Sequence, residues 1–512
     1  MISDECVHKI ELDNLENGEI IKHTVLLIKG HIRQQRQAKK CTEQQILLRV
    51  RHDASVLDAT WELQMRSKIS RTGQFKLLCD FGQHELETVY TQIPLILNFS
   101  YCNIVYQCKI LYESISYSKN NYRLQALYIT CVNQKPLVAE QVHENCEKIN
   151  LNLRLVQSVY AEQLRSAGYG RITFILNSDC KVFESRLTCE EAWEQSEESL
   201  WQNFAKEILN SSTWGSENKL KFVAFIGCTI YDGAAVAATG DFSYSNIRKH
   251  LKGHAALGGG GLALFGAAYL YAWPKCFNEI NACFGSNKLV DLTQLPDDSN
   301  YRRTYGGVYA TTLGAVVHEI GHTFDLGHTK DGVMGNGFDY INRVFTIDNL
   351  TEHLPERVIE RPLPELRTEI TARPRFTQLK RATSTFLEKY HEQKTNDAFY
   401  FTRNCAIILA YNKWFGNSNG YDADKNTDDA LITYDAGNNC VITEGHENPL
   451  CLMEVRSIDN SLVKYWYEPQ SNKECSQIYK FYLPKEALKA LGENHYLFVL
   501  TRSGTTKRLC EH

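Results

Sequence analysis

The sequence predicts a multidomain α+β protein, in which a central α/β domain is flanked by an N-terminal β-sandwich and a small C-terminal β domain. Three observations support this: short alternating apolar runs before residue 132, helical and strand-like segments that alternate after it, and a return to strand-like runs from about residue 428. At about 150 residues per domain, a chain of 512 residues has room for several domains.

The first 132 residues contain short runs in which apolar and polar residues alternate between polar breaks, as is typical of an all-β sandwich. The opening run is similar to the first two strands of immunoglobulin-like modules. The runs are IIKHTVLLIKGHI, QQILLRVRH, FKLLCDFG, PLILNFSYC and YRLQALYITC.

The pattern changes after Pro136, and residues 133–427 are predicted to form the α/β domain. Apolar residues three or four apart predict a helix over 137–166, and a second helical segment lies around 190–210. The apolar runs RITFIL (171–176) and KFVAFIG (221–227) are predicted strands. Further helices are predicted from near Thr311, at 377–393 and at 403–414.

The last segment, 428–512, is predicted to be a small β domain. Its strand-like runs are ALITYD, CLMEVRSI, LVKYWYEP, IYKFYLP and HYLFVLTRSG.

Composition excludes some classes of function. A formal net charge of -4 gives no basic excess for a nucleic-acid surface. The N-terminus lacks the apolar region of a secretory signal, and the 17 cysteines show no CxxC pairs. Free thiols persist in reducing compartments, so we expect a cytoplasmic or nuclear protein.

Residues 255–274, AALGGGGLALFGAAYLYAWP, have the length of a membrane span and carry no charge. Four consecutive glycines and a terminal proline lower the helix propensity. We therefore expect no membrane span, but a glycine-rich loop that leads into a buried strand.

The chemistry is concentrated in residues 311–334, TTLGAVVHEIGHTFDLGHTKDGVM. His318 and His322 are four residues apart, which places both imidazoles on one helix face, as two ligands of one zinc ion must be. Glu319 lies one position further round the helix. It can reach a water on the metal without binding the metal, as a general base does.

His328 is the third candidate ligand, but it reaches the same metal only if the chain turns back after the helix. Asp325 and Gly327 lie in that turn, and both residue types tolerate the left-handed conformation. Three histidines leave a fourth position open, as in a catalytic zinc site. The sequence therefore predicts one Zn²⁺ per chain.

HEIGHTFDLGH resembles the metzincin signature HExxHxxGxxH, with Asp325 where that signature has its glycine. Met334 in KDGVMG looks like the Met-turn methionine of that clan. The chain is similar in particular to the putative zinc metalloproteinases of fungi and animals, which combine a β-sandwich, a GGGG-containing strand, this helix and a C-terminal β part. The resemblance implies a metzincin-like catalytic domain.

The resemblance also implies that an edge strand upstream of the helix pairs with the peptide substrate. Gly259, Gly260, Gly261 and Leu262 are the candidates, although a flexible loop with a core strand is equally compatible with the glycines. Tyr340 and Arg343 follow the Met-turn, where the family has its specificity wall, but single residues there are more often packing or surface groups.

His250 and His254 are also four residues apart, but neither has an acidic neighbour in the sequence. We therefore expect both to be surface residues and not a second metal site.

The predicted function is zinc-dependent hydrolysis of peptide bonds by an endopeptidase that acts on a peptide or protein substrate. Two alternatives remain: a non-catalytic scaffold with a structural zinc site, and hydrolysis of a non-peptide amide. Glu319 disfavours the scaffold, because a structural site has no use for a base. All candidate ligands lie between 311 and 334, so we expect the flanking β domains to be accessory and residues 133–427 to suffice for zinc binding.

Overall fold

The fold is taken from a computed structural model of the chain. The structure describes residues 7–34, 43–53, 62–82, 92–113, 120–134, 139–215, 219–300, 302–347, 399–415, 431–444, 448–469 and 478–509.

The N-terminal part is a sandwich of two sheets, with strand orders β1-β3-β6 and β2-β8-β7-β4-β5. Apolar residues alternate along the strands and meet between the sheets, where they form a separate core around Phe75, Phe81 and Phe99. The strands are β1 His8–Leu12, β2 Ile20–Ile21, β3 Val25–Gln34, β4 Gln45–His52, β5 Glu62–Lys68, β6 Gln74–Asp80, β7 Gln92–Tyr101 and β8 Ile104–Glu113.

The central part is built on a five-stranded sheet of order β10-β9-β11-β15-β14, in which β14 is antiparallel and lies at one edge. Its elements are β9 Arg123–Thr130, α1 Ala139–Ser166, β10 Lys181–Glu184, α2 Cys189–Glu194, α3 Glu197–Leu209, β11 Leu220–Ile226, β12 Ile230–Tyr231, α4 Gly233–Thr239, α5 Tyr244–Lys249, β13 Leu251–Lys252, β14 Ala256–Gly259, β15 Leu262–Gly266, α6 Ile280–Phe284, α7 Tyr305–Thr323 and α8 Asn342–Phe345. Single 3₁₀ turns span Ala267–Ala272, Phe277–Glu279 and Gly337–Tyr340.

Helices cover both faces of this sheet. Strand residues such as Ala126 and Val223 face α1 and α7, whereas their neighbours Leu127 and Ala224 face α2 and α3. The alternation is the period-two pattern of a strand buried on both sides. The sheet therefore separates two apolar cores.

The C-terminal part consists of two small antiparallel sheets, of order β16-β17-β20 and β19-β18-β21-β22. The larger sheet contributes Leu452, Phe498 and Leu500 to the core around α1 and α7, and its other face packs on the helix α10. The elements are α9 Arg403–Tyr411, a 3₁₀ turn Lys413–Phe415, β16 Ile432–Asp435, β17 Cys440–Thr443, β18 Leu450–Ser457, β19 Val463–Tyr467, β20 Lys480–Tyr482, α10 Lys485–Leu491, β21 His495–Thr501 and β22 Thr506–Leu509.

The mixed α and β composition predicted from the sequence is confirmed, and the limits of the three predicted domains stay predictions. One strand was assigned to the wrong part: Arg123–Thr130 pairs with β10 and β11 in the central sheet, although the sequence analysis placed it in the sandwich. Its near-continuous burial is that of a parallel strand covered on both faces.

One further expectation differs in detail. The predicted strand 171–176 forms only one bridge, between Leu124 and Leu176, and it also bonds to α1, where the Thr173 hydroxyl donates to the Gln157 carbonyl. The predicted helix at 377–393 lies outside the described residues. Within the part of the chain that the structure describes, no helix is long and apolar enough to cross a membrane, and 255–274 begins as the hairpin of β14 and β15.

Candidate metal and catalytic site

The site is built on α7, a helix with 17 buried residues among its 19. The Thr304 hydroxyl accepts a hydrogen bond from the Gly307 N–H and caps the first turn. The helix therefore begins at Tyr305, whereas the sequence predicts a start near Thr311. Its two early glycines allow close packing, since a Cβ on Gly306 would lie 2.5 Å from the Phe284 carbonyl oxygen.

The chain turns back directly after Thr323. Asp325 adopts a φ of 67°, and the Leu326 N–H donates to the Gly321 carbonyl at 3.1 Å. Asp325, and not Gly327, is therefore the left-handed residue of this turn. Gly327 instead allows the C-terminal part to approach closely, because a Cβ there would lie 2.7 Å from the Ser461 carbonyl oxygen.

The turn brings the three predicted histidines together. The Nε2 atom of His322 lies 3.1 Å from Nε2 of His318 and 3.1 Å from Nε2 of His328. Among the described residues, these three form one of two groups of ligand atoms able to hold a metal ion.

The other ring nitrogen of each histidine bonds to a backbone carbonyl. Nδ1 of His318 lies 2.8 Å from the Val333 oxygen, and Nδ1 of His322 lies 2.8 Å from the Leu326 oxygen. Nδ1 of His328 lies 2.5 Å from the Asn460 oxygen. Because a carbonyl oxygen only accepts, each Nδ1 carries the proton, and three Nε2 lone pairs face one another.

Burial favours the neutral form of these rings. It lowers the pKa of His322 to about 3, with a further contribution from His328, and it also lowers the pKa of His328. Neutral imidazole is the form that binds a metal ion.

The C-terminal β part completes the support of His328. Besides the Asn460 bond to the ring, the His328 N–H donates to the Ser461 carbonyl at 3.1 Å, and the Val463 N–H donates to the His328 carbonyl at 2.9 Å. The guanidinium of the buried Arg456 donates to the Asp325 carbonyl at 2.9 Å. The C-terminal β part, which the sequence predicts to be accessory, thus contacts the turn that carries His328, and zinc binding by residues 133–427 alone stays a prediction.

Glu319 lies between the helix and the edge strand β14. Its Oε2 atom accepts a hydrogen bond of 2.7 Å from the Gly258 N–H. A side chain at 258 has no room, because a Cβ there would lie 2.0 Å from the Glu319 carbonyl oxygen. Gly258 thus allows the strand to approach the helix and to orient the carboxylate.

The four predicted substrate-binding residues occupy different places. Gly259 is the last residue of β14, whereas Gly260 and Gly261 form the hairpin turn. Leu262 begins the interior strand β15, where it is buried and its carbonyl accepts from the Trp201 indole N–H. The edge available to a peptide is therefore Ala256–Gly259, and Leu262 does not lie on it.

Met334 is buried directly beneath the ligand-bearing helix turn. A Cβ added to Gly321, between the two helical histidines, would lie 2.7 Å from the Met334 sulfur. The preceding residue, Val333, supplies the carbonyl that holds His318. The structure thus places Met334 and the three histidines in one cluster.

The remaining candidates are packing residues. His254 is buried and lies edge-on against Tyr269, so the expectation that it is a surface residue is wrong, while His250 is half-buried at the end of α5. The strand pair β14 and β15 follows His254 in the sequence, and Gly266 of β15 packs against its ring. Tyr340 is buried beneath the Arg343 guanidinium, which lies 4.2 Å from the ring centroid.

Sequence reasoning missed the residues that support His328. Arg456 and Asn460 carry no motif and lie more than a hundred residues beyond the histidines. The only available signals were a charged pair, Glu454 and Arg456, inside an apolar strand run, and such pairs also occur on exposed strands. A second group of ligand atoms, formed by three cysteines, was missed for the same reason.

Comparisons with known proteins identify relatives of this chain. A putative zinc metalloproteinase of Saccharomyces cerevisiae is 40% identical over 101 residues, which cover 19% of this chain and 14% of that protein. A putative zinc metalloproteinase of Schizosaccharomyces pombe is 31% identical over 110 residues, which cover 21% and 18%. The matched segments therefore span less than a fifth of either relative.

Among solved structures, OgpA from Akkermansia muciniphila aligns over 76% of this chain and 93% of its own, with 11% identity and a TM-score of 0.38. The family described as the Putative peptidase family matches residues 9–397, from the sandwich through the histidine site and beyond. This match covers well over half of the chain, and we conclude that the chain belongs to the Putative peptidase family.

Proposed function

We propose that this chain is a zinc-dependent endopeptidase of metzincin type. The observation that carries the proposal is the meeting of three Nε2 lone pairs, in which Nε2 of His322 lies 3.1 Å from each of the other two and every Nδ1 proton is engaged by a carbonyl. Lone pairs repel one another at that distance unless a cation lies between them. The ligand set of three neutral imidazoles fits Zn²⁺ and leaves a coordination position open.

When bound, zinc would supply Lewis acidity and make water a competent nucleophile near neutral pH. Glu319 would act as the general base, taking a proton from the attacking water and later delivering it to the leaving amine. Its carboxylate lies at the outer side of β14, held by the Gly258 N–H. A structural zinc site would have no use for an oriented carboxylate at this position.

The edge strand β14 is the proposed binding position of the substrate. The N–H groups of Ala256 and Gly258 point away from β15 and bond to the carboxylates of Glu197 and Glu319. An extended peptide would pair with this edge through its backbone once the two carboxylates release these N–H groups. Pairing along a strand recognises the middle of a peptide and not its end, which favours an endopeptidase.

The proposal is tested with the full chain, a peptide library and mass-spectrometric detection of the cleavage products. We expect cleavage that a chelator abolishes and that added zinc restores. His322→Ala should lose both the metal and the cleavage, whereas the matched control His250→Ala should retain both. A protein that binds zinc at His322 but cleaves no peptide would contradict the proposal and favour a scaffold.

A further inference from the structure

Three cysteines that are distant in the sequence meet at one end of the central sheet. Cys131 follows β9, Cys228 lies just beyond the parallel neighbour β11, and Cys189 is the first residue of α2. All three are buried, and their Sγ atoms lie within 4.8 Å of one another. The Sγ atoms of Cys131 and Cys228 are 3.3 Å apart.

The backbone of each cysteine in this cluster is hydrogen-bonded to a nearby polar side chain. The Cys189 N–H donates to the Asn133 side chain at 2.7 Å, and the Cys131 N–H donates to the Gln134 side chain at 3.2 Å. The Cys228 carbonyl accepts from the Trp193 indole N–H at 2.7 Å. These bonds fix the backbone positions from which the three thiols meet at one point.

Among the described residues, the other buried cysteines do not form a group of three. Cys79, Cys405 and Cys451 are buried in apolar surroundings, as free cysteines commonly are. Among the described residues, only Cys131, Cys189 and Cys228 form a group of three thiols close enough to hold one ion.

We propose that Cys131, Cys189 and Cys228 form a second metal site, which binds a thiophilic d¹⁰ cation, Cu⁺ or Zn²⁺. Soft thiolate ligands select these ions. On binding, three sulfur–metal bonds form and the thiols release their protons to solvent, with no change in oxidation state. No fourth His, Cys, Asp or Glu of the described residues joins the group, so Cu⁺ could be bound by the three thiolates alone, whereas tetrahedral Zn²⁺ would need one further ligand.

The cysteine site and the histidine centre lie on opposite faces of the sheet. The cysteines belong to the core that α2 and α3 form, and Met334 beneath the histidines belongs to the core around α1 and α7. The two sites should therefore bind metal independently of each other.

The test uses the reduced full chain, freed of metal under anaerobic conditions and titrated with Co²⁺ in place of Zn²⁺ and, separately, with Cu⁺. Thiolate ligation of Co²⁺ gives near-ultraviolet charge-transfer absorption, which a site of three imidazoles does not give. We expect this absorption, with two Co²⁺ ions bound per chain. Tight binding of only one of the two metals identifies the preferred ion.

Cys189→Ala should lose most of the charge-transfer absorption and one bound ion, while the matched control Cys79→Ala should retain both. His322→Ala should show the reverse loss, in which the absorption persists. Charge-transfer absorption that is absent from the wild type with both Co²⁺ and Cu⁺, or unchanged in Cys189→Ala, would overturn the proposal.

Alkylation of the wild type keeps the test independent of how well a variant folds. Cd²⁺ should protect Cys131, Cys189 and Cys228 from iodoacetamide at mildly denaturing urea concentrations, while the exposed Cys102 and Cys276 react in either case. Equal labelling with and without Cd²⁺ would refute the site. A Cys131–Cys228 disulfide that persists under reducing conditions would also refute it.

Discussion

The histidine centre and the cysteine cluster are alike in geometry and opposite in how the chain builds them. Each brings three ligand atoms within 4.8 Å of one another. The histidines all come from residues 318–328, whereas the cysteines come from residues 131, 189 and 228. A helix and one turn suffice to join the histidines, but the cysteines meet only when two parallel strands and a helix have packed.

The two sites differ less in how local they are in the sequence when the residues that support the histidines are included. His318 and His322 are held by carbonyls of nearby residues, but His328 is held by Asn460 and Ser461 of the C-terminal β part. A short motif therefore reveals which residues bind the metal and says little about which residues hold them in place.

The largest expected effect follows from removing the C-terminal β part. A chain that ends at residue 427 lacks Asn460, Ser461 and Arg456, and it exposes the apolar residues that pack against Leu452 and Phe498. We expect it to retain no zinc at the histidine centre and to lose its cooperative thermal transition. Metal analysis and calorimetry check this, and a folded, zinc-loaded truncation would show that the centre is built locally after all.

Removal of a single buried charge should have the next largest effect, on the free energy of unfolding. Arg456 is buried, pairs with the buried Glu454 and bonds to the Asp325 carbonyl. Arg456→Leu leaves the Glu454 carboxylate buried without its ion-pair partner and should lower the free energy of unfolding by about 3–5 kcal/mol.

The matched control is Arg403→Leu, which breaks an exposed pair with Glu468 and should cost at most about 1 kcal/mol. Urea unfolding of both variants measures the difference. Equal losses would mean that Arg456 does not support the turn that carries His328.

The edge strand allows a finer comparison between neighbouring glycines. Gly258→Ala places a Cβ against the Glu319 backbone and should cost about 1–3 kcal/mol while reducing cleavage more than zinc binding. Gly259→Ala meets no atom within 4 Å and should have a much smaller effect on both. Cleavage rates and zinc content of the two variants test this, and equal losses of cleavage would argue against orientation of Glu319 by the strand.

The smallest expected effect concerns the cysteine cluster. Asn133→Ala removes the side chain that anchors the Cys189 N–H, so the affinity of that cluster for Co²⁺ should fall roughly tenfold, as loss of an outer hydrogen-bonding partner commonly does. Zinc at the histidine centre should be unaffected. A fall in both affinities would mean that the two sites are coupled through the sheet.

Local patterns explain what could be predicted from the sequence. The helix over 137–166 and the strand over 221–227 have clear apolar periodicity, and the three histidines share one helix and its turn. Arg123–Thr130 was placed in the sandwich because an isolated apolar run does not say which sheet it joins. His254 was taken as exposed because burial under a later strand pair leaves no trace next to the histidine itself.

Contacts distant in the chain explain what could not be predicted. The bonds from residues 456–463 to the ligand turn and the meeting of the three cysteines depend on topology. A single sequence records the identity of those residues, but it does not record that they become neighbours.

The most direct test of the account is Glu319→Ala, measured for zinc content and for chelator-sensitive peptide cleavage. In the proposed site three histidines hold the metal, so zinc should stay near the wild-type content, whereas cleavage should fall by roughly two to four orders of magnitude, the usual contribution of a positioned acid–base group. The matched control is Glu197→Ala, which removes the other carboxylate that bonds to β14 and should retain most of the activity. Zinc loss in Glu319→Ala would make the glutamate a ligand, and wild-type cleavage with zinc in place would contradict the proposed mechanism.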